Sequence, residues 1–206
     1  MAADSRADIL ARLRRGAAPF VARATPSPPP ASPLSPRARF IERLTAARTT
    51  TEAIPSLADA PAAVARYLAA QNLPARICLA PGLAGRMAFD TVTVEDALPV
   101  ADGIAVLTDC VAAVAETGTF VAASGPGRDQ RLNYLAETLI VIVGDDQIVH
   151  AYEEVWTRLR VRTGREAPRL VSFITGPSRT ADIEQTIEWG AHGPRRLHVL
   201  VSDETP

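Results

Sequence analysis

The sequence predicts an α/β fold, a three-layer sandwich in which helices cover both faces of a largely parallel β-sheet. Short apolar segments of strand length alternate along the chain with segments whose apolar residues recur at helical spacing, which favours parallel strands joined by helices. The run Leu139–Val143 is apolar at every position, as in a strand that is buried on both faces. Because 47% of the 206 residues are hydrophobic, the chain can also bury a sizeable core.

The first 35 residues are predicted to form a short helix and a linker, and residues 36–206 the α/β domain. Apolar residues fall on one face of a helix over residues 4–15. The segment Thr25–Pro36 then contains six prolines in twelve residues, a composition that favours an extended chain without a core. We interpret this segment as a surface linker; the alternative is a docking peptide for a proline-recognising domain.

Two helices and two strands are predicted between residues 35 and 89. One helix starts at Ser35-Pro36, because serine caps helices and proline fits the first helical turn. A second starts at Asp59-Ala-Pro61 for the same reason. The segments 76–80 and 87–89 have the composition of short strands, and Pro81-Gly82 between them marks a turn.

Five strands and two helices are predicted in the second half of the chain. The strands are apolar segments bounded by turn residues, and they cover residues 103–107, 119–123, 139–143, 170–174 and 197–201. One helix begins at Asp145 or Asp146 and ends at Gly164, with apolar residues at helical spacing. The other covers residues 179–189 and ends at Gly190.

Composition excludes several classes of function. With 22 basic and 23 acidic residues, the chain lacks the positive charge of a general nucleic-acid binder, so no nucleic-acid partner is expected. All basic residues are arginine, which excludes Schiff-base chemistry and the lysine of a Walker loop. Two cysteines are too few for an iron–sulfur cluster within this chain. The sequence shows no signal peptide and no apolar run of membrane-spanning length, which predicts a cytoplasmic location.

The loop Ala115–Phe120 is the first candidate site, because it leads into a predicted strand. Gly118 lets the backbone approach a ligand closely, and the hydroxyls of Thr117 and Thr119 can hydrogen-bond to it. Glu116 is a candidate base, nucleophile or hydrogen-bond acceptor. The alternative is a polar turn whose glutamate is solvated or caps a neighbouring helix.

The segment around Gly176 is the second candidate site, because a strand is predicted to end there and a helix to start at Ser178 or Thr180. Free amides at that helix N-terminus, together with the Arg179 guanidinium, predict a site for a carboxylate or phosphate. The alternative is a well-capped helix in which Arg179 pairs with the acidic residue three positions further on.

Among the three histidines, His192 is the best functional candidate, because its turn can return it to the edge of the sheet. His198 is predicted to be a partly buried strand residue, and His150 to begin a helix. No two histidines have the spacing of a helix-borne zinc site, so no metal site is expected. If Glu116 and Arg179 face one pocket, they supply an acceptor for the hydroxyl and a donor for the carboxylate of an α-hydroxy acid.

Three motifs together resemble the lactate-utilisation protein C (LUD-domain) family. They are Ala115-Glu-Thr-Gly-Thr119, Gly176-Pro-Ser-Arg-Thr-Ala-Asp-Ile-Glu184 and His192-Gly-Pro-Arg-Arg-Leu-His-Val199, and the resemblance covers residues 36–203. It implies a fold similar to that of CoA transferases and ribose-5-phosphate isomerases. By analogy with that fold, Glu116 lies in a loop comparable to the one that carries the nucleophile of CoA transferases.

The resemblance implies a non-redox or accessory subunit of a system that oxidises L-lactate to pyruvate. Iron–sulfur clusters are then expected only on the partner subunits, and this chain is expected to carry no cofactor and to bind a small anionic ligand. Two alternatives stay open. One is a free-standing enzyme acting on a CoA or sugar phosphate, with Glu116 as nucleophile or base; the other is an assembly factor without a ligand. Whether the chain is itself an enzyme is thus undecided by its sequence.

Overall fold

The computed structural model describes residues 5–16, 33–95, 105–125, 129–163, 167–181 and 187–206. The chain divides into two compact units, Met1–Ala31 and Ser32–Pro206. In the described part of the first unit, residues Ser5–Gly16 form helix α1, on which Ile9 and Leu10 are exposed. Most of the predicted proline-rich linker lies outside the described residues.

The described part of the second unit contains twelve strands, numbered in chain order, of which six form a central parallel sheet. These six are β1 (Thr50–Ile54), β2 (Arg76–Leu79), β3 (Thr93–Glu95), β4 (Ala105–Asp109), β7 (Thr138–Gly144) and β12 (Arg196–Ser202). They are arranged in the order β1–β12–β7–β4–β2–β3. Strand β7 contains the predicted run Leu139–Val143 and is buried at all seven positions, because strands cover both of its sides and other layers cover both of its faces.

A second sheet of four strands has the order β8–β5–β6–β9. Its strands are β5 (Ala112–Val114), β6 (Thr119–Ala123), β8 (Ile148–Val149) and β9 (Val171–Ile174). Strand β5 runs parallel to β8, whereas β6 is antiparallel to both β5 and β9. The remaining two strands, β10 (Arg179–Ala181) and β11 (Ile187–Trp189), form an antiparallel pair.

Four described helices complete the second unit, and three of them build its layers: α2 (Pro36–Ala46), α3 (Ala60–Ala70), α4 (Leu132–Leu135) and α5 (Tyr152–Thr163). Helix α3 packs on one face of the central sheet. Helix α2 and the second sheet pack on the opposite face, and α5 covers the outer side of the second sheet. The predicted three-layer α/β fold with a largely parallel sheet is therefore confirmed, with the difference that a second sheet shares one face with α2.

Helix α2 begins where the sequence predicts it. The Ser35 hydroxyl accepts a hydrogen bond from the backbone amide of Ala38 at 3.3 Å, and Pro36 occupies the first turn. Phe40 and Leu44, one turn apart, are fully buried against the central sheet and the second sheet. This packing fixes the C-terminal end of α2 beside the loops of the candidate site.

The predicted helix over residues 179–189 is wrong, because both described ends of this segment are strands. Arg179 pairs with Trp189 across the β10–β11 ladder. Hydrogen bonds close the base of this pair: the Ser178 amide donates to the Pro194 carbonyl at 2.8 Å, and the Gly190 amide donates to the Ser178 carbonyl at 2.9 Å. Tertiary hydrogen bonding has therefore overridden the helical spacing of the apolar residues.

Two smaller predictions also differ from the structure, and one strand has no signal in the sequence. Residues 87–89 form no strand, and β3 lies a few positions later. The helix predicted to begin at Asp145 or Asp146 begins at Tyr152, since a 3-10 turn and β8 intervene. Strand β1 was not predicted, because its sequence, Thr-Thr-Glu-Ala-Ile, has no apolar run at this edge of the sheet.

Candidate functional site

Four strand ends meet at one edge of the second sheet, which we call the Thr119 edge. The register pairs Val114 with both Thr119 and Val149, and Phe120 with Ile174. The carboxyl ends of β5, β8 and β9 therefore lie beside the start of β6. The loops that follow these ends carry Glu116 and Thr175, so both sequence motifs reach this edge.

A cluster of four hydroxyl groups lies at the Thr119 edge and joins the two candidate loops. The Thr119 hydroxyl lies 2.7 Å from that of Thr117, 2.9 Å from that of Tyr152 and 2.5 Å from that of Thr175. The Thr117 and Tyr152 hydroxyls are 3.0 Å apart. Thr119 is fully buried, whereas Thr175 is exposed, so the cluster runs from the interior to the surface. We call these four side chains the hydroxyl cluster.

The C-terminal end of α2 packs closely against both loops of the Thr119 edge. Gly118 and Gly176 have positive φ angles of 70° and 80°. A Cβ atom on Gly118 would lie 2.8 Å from the backbone of Arg43, and one on Gly176 would lie 2.8 Å from the carbonyl oxygen of Ala47. Both positions require glycine for two reasons, the left-handed backbone and the contact with α2.

Ser178 and the turn around His192 are in direct contact. The Ser178 hydroxyl accepts a hydrogen bond from the His192 amide at 3.4 Å, in addition to the backbone bonds that close the β10–β11 pair. The His192 ring is exposed. The second and third sequence motifs are therefore neighbours in space, as the first and second are.

Arginine side chains supply the positive charge of this region. Arg179 is exposed on β10 and forms no ion pair with any described residue. Arg48, which follows α2, places its guanidinium 5.8 Å from the centre of the Trp189 ring, a cation–π contact. Glu116 is half-buried, and its amide donates to the His150 carbonyl at 3.2 Å.

His198 lies apart from this edge, inside the central sheet. Its ring stacks on Tyr67 with centroids 4.1 Å apart, and its Nδ1 atom lies 2.9 Å from the Thr50 hydroxyl. Burial lowers the pKa of His198 from 6.5 to about 4, against the opposing effects of Glu52 and Thr50. His198 is thus a neutral core residue, more deeply buried than the sequence suggests.

Other polar features lie outside the Thr119 edge. Cys78 and Cys110 are both buried reduced thiols, and Cys110 faces Gln147. Within the described ranges, no group of three or more histidine, cysteine or acidic side chains is placed to hold a metal ion.

An open cavity of about 570 Å³ lies beside β2 and β3. It is lined by Met87, Phe89 and Asp90, among others, and none of the predicted site residues lines it. No described helix combines the length and apolar composition needed to cross a bilayer.

The family model of the LUD domain matches residues 101–202, a range that contains both candidate loops, the His192 turn and the whole hydroxyl cluster. Residues 101–202 of this chain thus belong to the LUD-domain family. The resemblance seen in the sequence motifs is therefore confirmed.

Relatives of this LUD-domain chain include curated proteins and one solved structure. Lactate utilization protein C of Deinococcus radiodurans is 38% identical over 100 residues, 47% of this chain and 45% of that protein. The protein of the same name from Geobacillus sp. (strain WCH70) is 34% identical over 93 residues, 44% of this chain and 39% of that protein. The matched segment thus spans about two fifths of the length of these relatives.

The fold comparison covers more of the LUD-domain chain. The crystal structure of a DUF162 family protein from Deinococcus radiodurans superposes with a TM-score of 0.62 at 28% sequence identity. The superposition covers 82% of this chain and 99% of that one.

The LUD domain brings part of the predicted site together. Thr117 and Thr119 meet Thr175 at the hydroxyl cluster, and Gly118 and Gly176 both pack against the end of α2. Arg179 and Thr180 lie on β10 instead of at a helix N-terminus, so the anion site predicted from free helix amides is absent from the described residues. The ligand-binding roles of these residues, of Ser178 and of His192 stay predictions.

Sequence reasoning missed three parts of this region. Tyr152 has the spacing of a core-facing helix residue, which hid its hydroxyl contact with two threonines. Thr175 directly precedes the second motif, and nothing in the sequence distinguishes it from an ordinary turn residue. The end of α2, with Arg43 and Ala47, is distant in sequence; only the paired glycines hint at a close neighbour.

Proposed function

We propose that this chain is a non-redox subunit of a system that oxidises L-lactate to pyruvate, and that it works beside iron–sulfur partner proteins. The observation that carries this proposal is the similarity of this chain to proteins named lactate utilization protein C. The matched LUD segment contains every predicted site residue. The two loops of the candidate site meet within that same segment through the contact of Thr119 with Thr175.

The residues at the Thr119 edge suit an α-hydroxy acid. Arg179, four residues after Thr175, carries a guanidinium, the group that binds a carboxylate through charge-assisted hydrogen bonds. The hydroxyl cluster and the Glu116 carboxylate offer hydrogen-bonding groups to the hydroxyl of the same ligand. Oxidation of lactate to pyruvate removes two electrons, and the two cysteines of this chain are fewer than the four thiolates that an iron–sulfur cluster usually takes. We assign the acceptance of these electrons to clusters on the partner proteins.

The two alternatives have less support. An enzyme acting on a CoA or sugar phosphate needs a phosphate site, and the one predicted here depended on a helix that is replaced by β10. A ligand-free assembly factor gives no role to Arg179, which is exposed on β10 and forms no ion pair with any described residue. Glu116 stays the residue of choice for testing any acid–base or nucleophilic step.

Co-purification from the native host tests this proposal. A tagged chain expressed in cells grown on lactate should recover proteins that contain iron and acid-labile sulfide, and deletion of its gene should slow growth on lactate but not on glucose. Unimpaired growth on lactate, with no iron–sulfur protein recovered, would contradict the proposed function.

A further inference from the structure

In the hydroxyl cluster, the number of hydroxyl hydrogens can be compared with the number of hydrogen bonds. Each of its four hydroxyls carries one hydrogen to donate. The four side chains make four mutual contacts of 2.5–3.0 Å, and each contact uses one hydrogen. All four hydrogens are therefore used inside the cluster.

The pattern of contacts also determines which residue donates the hydrogen bond between Thr119 and Thr175. Thr117, Thr119 and Tyr152 form a closed triangle whose three contacts use their three hydrogens. The fourth contact, between Thr119 and Thr175, must then use the hydrogen of Thr175. Thr119 donates once and accepts twice, which satisfies it fully and matches its complete burial.

The outward side of the cluster consequently presents only acceptors. Thr175 is exposed, donates inward and keeps both of its lone pairs free. Thr117 and Tyr152, which are half-buried, each keep one further accepting position. A ligand that contacts this surface has to bring its own hydrogen.

We infer that the hydroxyl cluster is a selectivity element that accepts a hydrogen bond from the hydroxyl of a 2-hydroxy acid and disfavours the corresponding 2-oxo acid. This inference rests on the proposed function and adds a direction to it, since lactate has a hydroxyl donor where pyruvate has only a carbonyl acceptor. A site built to pair with a ligand hydroxyl discriminates strongly against an analogue without it. The cluster therefore favours the substrate of the oxidation over its product, which eases product release.

Calorimetric titration of the full chain with L-lactate and with pyruvate tests the inference. The wild-type protein should bind lactate more tightly by about tenfold or more. In Thr175→Val the exposed acceptor is lost, so lactate binding should weaken by about tenfold while pyruvate binding is unchanged. Thr175→Ser keeps the hydroxyl and should retain the selectivity, and Thr157→Val, at an exposed position of α5, is the matched control.

Tyr152→Phe gives the most specific test. Without the tyrosine hydroxyl, three hydrogens remain for two contacts, so one hydrogen becomes free to point outward. Pyruvate should then bind more tightly than to the wild type, and the ratio of the two dissociation constants should fall toward one. If the role of Tyr152 were purely structural, Tyr152→Phe would weaken the binding of lactate and of pyruvate equally.

Equal binding of lactate and pyruvate by the wild type, or unchanged selectivity in Thr175→Val and Tyr152→Phe, would overturn the inference. So would the absence of lactate binding. In each case, iron–sulfur partners that still co-purify and a growth defect on lactate would leave the proposed function standing. The two proposals therefore fail by different measurements.

Discussion

His198 is a titratable side chain at a buried position of the central sheet, where its neighbours along β12 are apolar. Burial lowers its pKa in the folded protein to about 4, while the unfolded chain keeps a value near 6.5. Above pH 6.5 the imidazole is neutral in both states. As the pH falls from 6.5 to 4, the unfolded state binds a proton that the folded state does not, so stability is lost.

Denaturant unfolding at pH 7.5 and pH 5 measures this effect. The free energy of unfolding should fall by about 2 kcal/mol through His198 alone over this range, since one pKa unit corresponds to about 1.4 kcal/mol. His198→Leu should remove that part of the loss, whereas His192→Leu, at an exposed turn position, should not. Identical pH dependence in wild type and His198→Leu would show that the buried ring does not control acid stability.

Arg179 is the exposed cation nearest in sequence to the hydroxyl cluster. If it binds the carboxylate of lactate, Arg179→Ala removes a charge-assisted hydrogen bond that contributes about 1.5–3 kcal/mol, and affinity should fall roughly tenfold to hundredfold. Stability should change by less than about 0.5 kcal/mol, because the side chain is exposed and unpaired among the described residues. Arg160→Ala on α5 is the control. Equal lactate affinity in both variants would show that Arg179 does not bind lactate.

The end of helix α2 is the element that holds the candidate loops together, because Gly118 packs against it without space for a side chain. Gly118→Ala should destabilise the protein by about 2 kcal/mol or more, from the positive φ and from the clash with helix backbone. Gly85→Ala is the matched control: its φ is also positive, but nothing lies within 4 Å of the added atom. Equal losses in denaturant midpoint for both variants would contradict the proposed role of the α2 contact.

The β10–β11 pair shows where element prediction from sequence reaches its limit. A capping serine, early acidic residues and apolar residues at helical spacing all favour a helix over residues 179–189. The deciding interactions come from elsewhere in the chain, namely the Pro194 carbonyl and the Arg48 guanidinium over Trp189. By contrast, α2 was predictable because its cap and its proline lie within its own first turn.

The division of the strands into two sheets could not be predicted from the sequence. Strand β6 is as completely buried as β4, so the two have the same apolar character, yet they belong to different sheets. The parallel α/β character was predictable because β7 is apolar on both faces. The hydroxyl cluster depends on this division, since Thr117, Tyr152 and Thr175 meet only through the pairing of β5, β6, β8 and β9.

The central claim is that the Thr119 edge binds lactate, and threonine methyl NMR tests it most directly. In protein labelled only at threonine methyl groups, L-lactate should shift the signals of Thr117, Thr119 and Thr175 with one common dissociation constant. The signals of Thr45 and Thr157, on the exposed surfaces of α2 and α5, should not move. Unchanged signals for all three cluster threonines at saturating lactate, or shifts confined to threonines elsewhere, would contradict the assignment of the site.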